Sequence, residues 1–539
     1  MPRTDPLVTY TSGVKVTDQR HRVPGRTDQV KNNAGGYVFA VDEWTRLHRF
    51  LIMGTTGGTY YVGERELTVE NADFVINLIK RSVGDADRVL ATLVHVSENG
   101  DAPKQNPTLF TLAAVATFGE TKTRQRAFDM LPRVCRTGTM LFQFATYCKG
   151  MRGWGRAHKN AVANWYLRDP ERVAYQAVKY RQREGWTHRD LLRLSHPKPY
   201  TDMQRQLFAW IVGKDYEVNG LPIVEAYEKI QREDVTERRV VHLVTKYGLP
   251  WEALPDKWMN SPAVWNALLD NIGLTALLRN LPRLTRIGVL QPMAALDQRI
   301  RRLANHEELR KARIHPVAVL NALVGYKTGV SRGGVTWEAL PKVIDLLDDA
   351  FHASFHAIEP ANKRTLVALD ISGSMWGVFG GTIQSMPNLH PAMAAAAMAM
   401  ATVRTEPEYH VMGFTTQFEP LDITAKTTLS GVLNVMHQAS HRMGRTDCAM
   451  PMQWAERNRV AVDTFAVYTD NETWAGRVQP FQALKSYRQS MGINAREAVV
   501  GMTATDFTIA DPTDAGSMDF VGFDAAMPKL LAEFSRGTL

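Results

Sequence analysis

The hydrophobic and polar positions divide the chain into two regimes. Through the first 360 residues apolar side chains recur at helical spacing, as at Phe74 to Ile79, Val89 to Val96 and Val343 to Leu347. At Ser261-Pro262 an N-cap serine and a proline suited to the first helical position precede Val264, Trp265, Leu268, Leu269 and Ile272, one face of another helix. Breakers such as Gly248-Leu-Pro250 and Gly333-Gly334 separate these segments. After about Pro360 the pattern becomes short apolar runs, Arg364 to Leu369, Glu408 to Phe414 and Val462 to Tyr468, each read as a buried strand, with Ala498 to Met502 a further one. Helical stretches at His390–Arg404, Leu429–Gln438 and Thr446–Arg457 lie between or beside them, and Asp524–Phe534 reads as a closing helix. Strands alternating with helices imply a largely parallel, doubly wound sheet. The predicted domains are therefore a helical array over 1–360 and an α/β domain over 361–539.

One internal echo bears on the first domain. Trp251-Glu-Ala-Leu-Pro255 recurs as Trp337-Glu-Ala-Leu-Pro341, 86 residues later, which is twice a spacing within the ~40–47 residues of HEAT and armadillo units. Stacked helix pairs are the favoured layout, although a shared capping preference or chance produces the same echo.

Composition narrows the class. The chain has 539 residues, is 45% hydrophobic and carries 3 cysteines; this is too long for one ordinary core and too apolar for a disordered chain. Cys135, Cys148 and Cys448 form no C-x-x-C pair, which suits a reducing compartment. Met1-Pro-Arg-Thr-Asp-Pro6 has no apolar signal-peptide core, and the longest apolar run, Pro391 to Val403, is too short and Ala-rich for a membrane span and reads as a buried helix. A soluble, cytoplasmic protein without membrane partners is expected.

The charge is segregated. The net charge is +9, but residues 361–539 carry −3 and residues 1–360 carry +12. From Lys122 to Lys198 there are 17 basic and 5 acidic residues, a net +12 in about a seventh of the chain. Such concentration points to a surface for a polyanion; a solvated helical face is the plainer alternative.

Candidate metal chemistry falls where a doubly wound sheet places ligands, beyond the carboxyl ends of its strands. The first strand ends in Asp370-Ile371-Ser372-Gly373-Ser374, a D-x-S-x-S loop of hard oxygen donors suited to Mg²⁺. Thr446-Asp447 begins the predicted helix after the loop containing Gly444, and Asp470 ends a strand. Each alone reads equally well as an N-cap or a turn residue. Together these residues resemble a von Willebrand factor A domain with a metal-ion-dependent adhesion site, over 364–534. By that resemblance Ser372, Ser374 and Thr446 touch the divalent ion directly, Asp370 and Asp470 hold its waters, and an open position accepts a partner's carboxylate, for binding and not hydrolysis. Gly373 within the loop and Arg445 before Thr446 depart from the pattern without removing an oxygen.

The stretch Lys179 to Lys198 reads as a polyanion contact. Gly185 suits the end of one helix, and Thr187 with Asp190 resembles a capping box that starts the next. Lys179 and Arg183, four apart, fall on one predicted helical face, where two cations repel unless an anion lies between them. His196 precedes Pro197 just past the second helix. Phosphates suit this arrangement, and arginine also stacks on unpaired bases. Tyr180 and Trp186 read as core aromatics.

Gln29-Val-Lys-Asn-Asn-Ala-Gly-Gly-Tyr-Val38, Arg46-Leu-His-Arg-Phe50, Gly57-Gly-Thr-Tyr-Tyr61, Gly153-Trp-Gly-Arg156, Leu191-Leu-Arg-Leu-Ser-His196 and Lys311-Ala-Arg-Ile-His-Pro316 resemble the Ro autoantigen (TROVE-domain) family, in order, from near residue 29 to the end. The resemblance implies a monomeric ring of HEAT-like helical repeats closed by the A domain. It also implies Y or Y-like small noncoding RNA on the outer face and single-stranded 3′ ends of misfolded RNA in the central hole. The role implied is RNA quality control or a scaffold that tethers an exoribonuclease, polynucleotide phosphorylase in a bacterium. It carries RNA contacts onto Lys179, Arg183 and His196, and position within the basic segment adds Arg181, Arg156 and Lys159. The competing reading is a metal-dependent adhesion scaffold whose helical array binds protein. No P-loop, H-E-x-x-H or G-x-S-x-G is present, so no enzyme is expected.

Overall fold

The computed structural model describes residues 16–54, 67–217, 220–331, 333–376, 389–442 and 444–539; the Gly57–Tyr61 motif and Met1–Pro6 lie outside them. Helices occupy most of residues 43–353, including Asp73–Arg81, Val83–Asn99 and Pro341–Ala353 where the periodicity predicts them. Local chemistry sets their limits. Ser82 accepts the Asp85 N–H at the start of Val83–Asn99, and Gly100, at φ 79°, ends that helix in the left-handed region. Ser261 caps the Val264 N–H as its position implies, with Pro262 first in a helix that stops at Leu268. Helix Asn106–Phe118 is buried all round from Pro107 to Ala116 and forms the centre of its neighbours' packing. The repeated pentapeptide lies ahead of a helix start in both copies: Pro255 precedes the 3₁₀ turn Asp256–Trp258, and Pro341 opens Pro341–Ala353.

The array closes on itself. After helix His306–Ala312, Arg313 adopts φ 53° and donates from Nε to the Glu98 carbonyl at 2.5 Å. Gly100 packs so closely there that a Cβ would stand 2.8 Å from the Cβ of Arg313, so only glycine fits. His315 accepts the Val317 N–H at Nδ1 (3.1 Å), and its Nε2–H points to the carbonyls of Phe523 (2.8 Å) and Asp101 (3.1 Å). Three remote parts of the chain are joined by one imidazole.

The strands are β1 (Gln29–Lys31), β2 (Tyr37–Ala40), β3 (Gln182–Arg183), β4 (Trp186–Thr187), β5 (Thr365–Asp370), β6 (Tyr409–Phe414), β7 (Phe418–Pro420), β8 (Thr464–Thr469), β9 (Arg496–Gly501), β10 (Phe507–Thr508) and β11 (Ser517–Val521). A six-stranded sheet runs β11-β9-β8-β5-β6-β7, parallel except for β7. Its strands alternate between two cores. Val367, Leu369, Ala466 and Tyr468 face the core shared with the helical array, while Leu366, Ala368, Phe465 and Val467 face the other layer. Burial on both faces explains the continuous apolar runs. Helix Pro391–Thr405 packs against β5 on one side and helix Pro316–Lys327 of the array on the other; its alanines permit that close sandwich. Among the described residues no helix is long and apolar enough to cross a membrane.

Two features depart from the sequence pattern. β1, β2 and β10 form an antiparallel sheet, so residues near the start of the chain pack with the α/β unit. Gln19 there donates to Asp447 Oδ1 (2.7 Å) and the Val478 carbonyl (2.9 Å), and Arg26 forms a bidentate pair with Asp511 at 2.7 Å. Second, the helix predicted from Thr446 begins at Met450. The Thr446 carbonyl instead accepts the N–H groups of Trp474 and Ala475, which holds Thr446-Asp447 in a loop.

Candidate functional site

The metal constellation is built at the junction of β5 and β8, the point where strand order reverses. Asp370 ends β5 fully buried; its Oδ1 accepts the Ser372 N–H (2.9 Å) and its Oδ2 the Thr469 hydroxyl (2.8 Å). The Ser372 and Ser374 hydroxyl oxygens lie 3.0 Å apart. The Gly373 N–H reaches the Gly444 carbonyl at 3.4 Å, which draws the loop containing buried Thr446 toward the serine loop. Asp470, just past β8, accepts the Glu472 N–H at Oδ1 (3.0 Å), while its Oδ2 is buried without a well-formed hydrogen bond among the described residues and the Ser374 hydroxyl lies close enough to favour the carboxylate. The sheet thus brings the Asp370, Ser372, Ser374 and Asp470 segments to one end and links the Thr446 loop to them.

The electrostatics suit a cation. Burial first and Asp470 second push the Asp370 carboxyl up to about 7; burial raises that of Asp470. Glu472 rises to about 8 by burial and then by Asp470, although Asn33 Nδ2 (2.7 Å) and the Ala34 N–H (3.0 Å) hold its carboxylate. Among the described residues no three His, Cys, Asp or Glu side chains converge. A divalent ion would therefore rely on hydroxyls and at most two carboxylates, the hard donor set of this loop, and the buried Asp470 oxygen beside Ser374, in no well-formed hydrogen bond, fits such an ion.

The basic segment is arranged differently from its sequence reading. Helix Pro170–Lys179 ends at Lys179, and Glu184 and Gly185, at φ 53° and 75°, turn a hairpin in which Arg183 pairs with Trp186. Two successive positive φ angles suit a two-residue hairpin turn, so Gly185 serves the hairpin and not a helix end. Lys179 and Arg183 consequently do not share a helical face. The Thr187–Asp190 capping box is present: Asp190 N–H donates to the Thr187 hydroxyl and Thr187 N–H to Asp190.

Individual side chains then separate. Lys179 Nζ lies 3.8 Å from Glu252, both side chains being about 15% exposed or less. Arg181 stacks over Trp210 (5.1 Å) and Tyr227 (5.2 Å). Arg183 is exposed, with one N–H on the Gln182 carbonyl. His196 is exposed at the end of helix His188–Ser195, at φ 49°. Arg156 is exposed at the start of helix Arg156–Leu167, and Lys159 is half-buried one turn later. Trp154 contacts Trp186 with ring centroids 5.6 Å apart, and Lys149 lies over Trp186 at 5.4 Å. These contacts join the hairpin to the Arg156 helix and add Lys149, a residue counted in the basic stretch but not singled out by any motif.

Comparison with known proteins gives the same two parts. The TROVE domain model matches residues 30–240 and 245–329, and the Ro60 vWA domain model matches 364–535. The RNA-binding protein RO60 of Deinococcus radiodurans is 42% identical over 517 residues, covering 94% of this chain and 96% of that protein. The RNA-binding protein RO60 of Caenorhabditis elegans is 34% identical over 621 residues, with 100% and 95% covered. The crystal structure of the Deinococcus radiodurans RO (RSR) protein superposes with a TM-score of 0.68 at 40% identity, over 92% of this chain and 100% of that one. A helical array joined to a mostly parallel A-type sheet, matched by both domain models and by relatives along its length, belongs to the Ro60 family of TROVE-domain proteins.

Proposed function

We propose that this protein binds RNA through the face formed by the β3–β4 hairpin and the adjoining helix ends. The observation that carries this reading is the set of exposed arginines there, Arg181, Arg183 and Arg156, with exposed His196 and half-buried Lys159, on a stretch of net +12; the names of the relatives agree with RNA binding. The finer reading is a Y or Y-like small noncoding RNA on this face and single-stranded 3′ ends of misfolded RNA within the closed array. The protein then serves RNA quality control, or tethers an exoribonuclease such as polynucleotide phosphorylase, as a cytoplasmic monomer without catalysis of its own. Mg²⁺ or a similar divalent ion would be held by Ser372, Ser374 and Thr446, with Asp370 and Asp470 orienting its waters. The ion would supply an open coordination position for an acidic partner.

The test is a gel shift with structured small RNA across a salt series. Arg183→Ala with His196→Ala weakens binding about tenfold or more and flattens the dependence of log affinity on log salt by about 1 per lost phosphate contact. Unchanged affinity discards this face. Lys179 is varied separately, because its loss leaves Glu252 without its cation. For the metal, millimolar Mg²⁺ raises the melting temperature, and Asp470→Asn removes that response; an identical Mg²⁺ shift in the variant discards the ligand set.

A further inference from the structure

The loops that carry Thr446 and Asp470 are held by a segment from the other end of the chain. Residues 444–449 and 470–479 lie outside helix and strand, so no regular ladder fixes them. Gln19, fully buried, uses every hydrogen-bonding position of its amide on these loops. Its Nε2 donates to Asp447 Oδ1 and the Val478 carbonyl, and its Oε1 accepts the Thr473 hydroxyl (2.7 Å) and the Gly476 N–H (3.0 Å). The Thr473 hydroxyl in turn accepts the Cys448 N–H (3.0 Å), and the Thr446 carbonyl accepts the N–H groups of Trp474 and Ala475. One side chain therefore locks the two loops to each other on either side of Thr446.

The next turn of the same segment holds the Asp470 side. Asn32, also buried, donates to the carbonyls of Thr473 (2.8 Å) and Asn471 (3.3 Å), and its Oδ1 accepts the Gly36 N–H (2.7 Å). Asn33 and the Ala34 N–H grip the carboxylate of Glu472, two residues beyond Asp470. A Cβ on Gly36 would run into the Thr473 carbonyl, so only glycine lets the segment pass this close. Covering the domain needs only apolar contact, which Val38 of β2 already makes with its core. The amides of Gln19, Asn32 and Asn33 instead end on the two loops that bear candidate ion ligands.

We infer that residues 17–36 are a positioning brace for the divalent-ion site. Gln19, Asn32 and Asn33 set where Thr446 and Asp470 stand, and thereby set the affinity for the ion. Loss of groups behind the ligands of a metal commonly costs about 10–100-fold in affinity, because loops left unfixed must be ordered at the moment of binding. This role rests on the divalent-ion reading of the two loops and deepens it. Linkage makes the effect reciprocal: what the brace contributes to ion binding, the bound ion returns as stability of the brace.

The probe is Mn²⁺, whose free-ion EPR signal is lost on binding, titrated into the full-length protein, with melting in EDTA as the control on folding. Asn33→Ala changes an exposed side chain; it keeps the wild-type melting temperature in EDTA and binds Mn²⁺ about fivefold more weakly. Gln19→Met keeps the volume, removes all four side-chain bonds and weakens binding about tenfold or more. Amide exchange across residues 17–36 slows when Mg²⁺ is added to the wild type and not when it is added to Asp470→Asn. Unchanged Mn²⁺ affinity in Asn33→Ala overturns the brace, whether or not Gln19→Met folds. Exchange across residues 17–36 that ignores Mg²⁺, in protein that binds Mn²⁺, overturns it too. If the wild type binds no Mn²⁺, or Asp470→Asn binds it as tightly, the ligand set itself fails.

Discussion

Glu497 shows how one buried group shapes the behaviour of the sheet. It lies on β9, fully buried, accepting the Ser517 hydroxyl at 2.7 Å, while its other oxygen has no hydrogen-bond partner among the described residues. Burial pushes its carboxyl up to about 7, with Ser517 and Arg488 opposing. A carboxyl raised on folding costs stability as pH climbs from its unfolded value through its folded one. Glu497→Gln should therefore stabilise the protein at pH 8, by at most about 3 kcal/mol, with the gain vanishing toward pH 4.5. Thermal melts of both proteins at the two pH values check this, and an equal gain at both removes titration as the cause. Arg49 is a contrasting case, a buried guanidinium whose two terminal nitrogens are both engaged. It donates to the carbonyls of Thr505 (2.6 Å) and Phe507 (2.9 Å) and to Asp519. Arg49→Met should cost about 3–5 kcal/mol, because Asp519 is left buried without its partner; a melting temperature within a degree of wild type would contradict that. The sequence marked Arg49 only as part of a motif. Nothing in a one-dimensional pattern shows that a helix residue reaches β11 and the strand-end loops.

Among the elements, the β3–β4 hairpin is the instructive segment. Its capping box was legible because Thr187 and Asp190 are three apart and bond within one turn. The hairpin was not: Gln182–Arg183 and Trp186–Thr187 are two residues each, too short for any alternation to emerge. Gly185, at φ 75° and with no atom within 4 Å of where a Cβ would stand, is required by conformation and not by space. Gly185→Ala should cost about 1–2 kcal/mol in the turn and weaken RNA binding by shifting Arg183, with the net charge unchanged. Retained affinity would show that Arg183 acts independently of hairpin geometry. The same limit explains Thr446. Its threonine resembled an N-cap, but hydrogen bonds from Trp474 and Ala475, nearly thirty residues on, keep that backbone out of the helix.

At the scale of the whole molecule, His315 ties together three remote parts of the chain. Burial pushes its imidazole down to about 4, so the fold holds it neutral, with its Nε2–H directed at the Phe523 and Asp101 carbonyls. A histidine lowered on folding loses its stabilising contribution as pH falls from about 6.5 toward 4, up to about 3 kcal/mol. Asp524 opposes this lowering and His356 adds to it; His48, paired with Asp524 at 3.0 Å and raised, loses its contribution in the other direction, as pH rises. His315→Gln should flatten the fall in melting temperature between pH 6.5 and 4.5. An unchanged slope would place the acid sensitivity elsewhere.

The two regimes, the central strands, most of the helices, the basic stretch and the D-x-S-x-S loop were all legible from the order of residues. These are properties of near neighbours, set by side-chain period, caps and breakers acting within a few turns. Only folding in three dimensions made Lys179 face Glu252, brought residues near Gln19 and Asn33 to brace the loops beyond β8, and set Arg313 against Glu98. Such contacts join positions up to hundreds of residues apart, and their energy exists only once packing has brought both partners out of water.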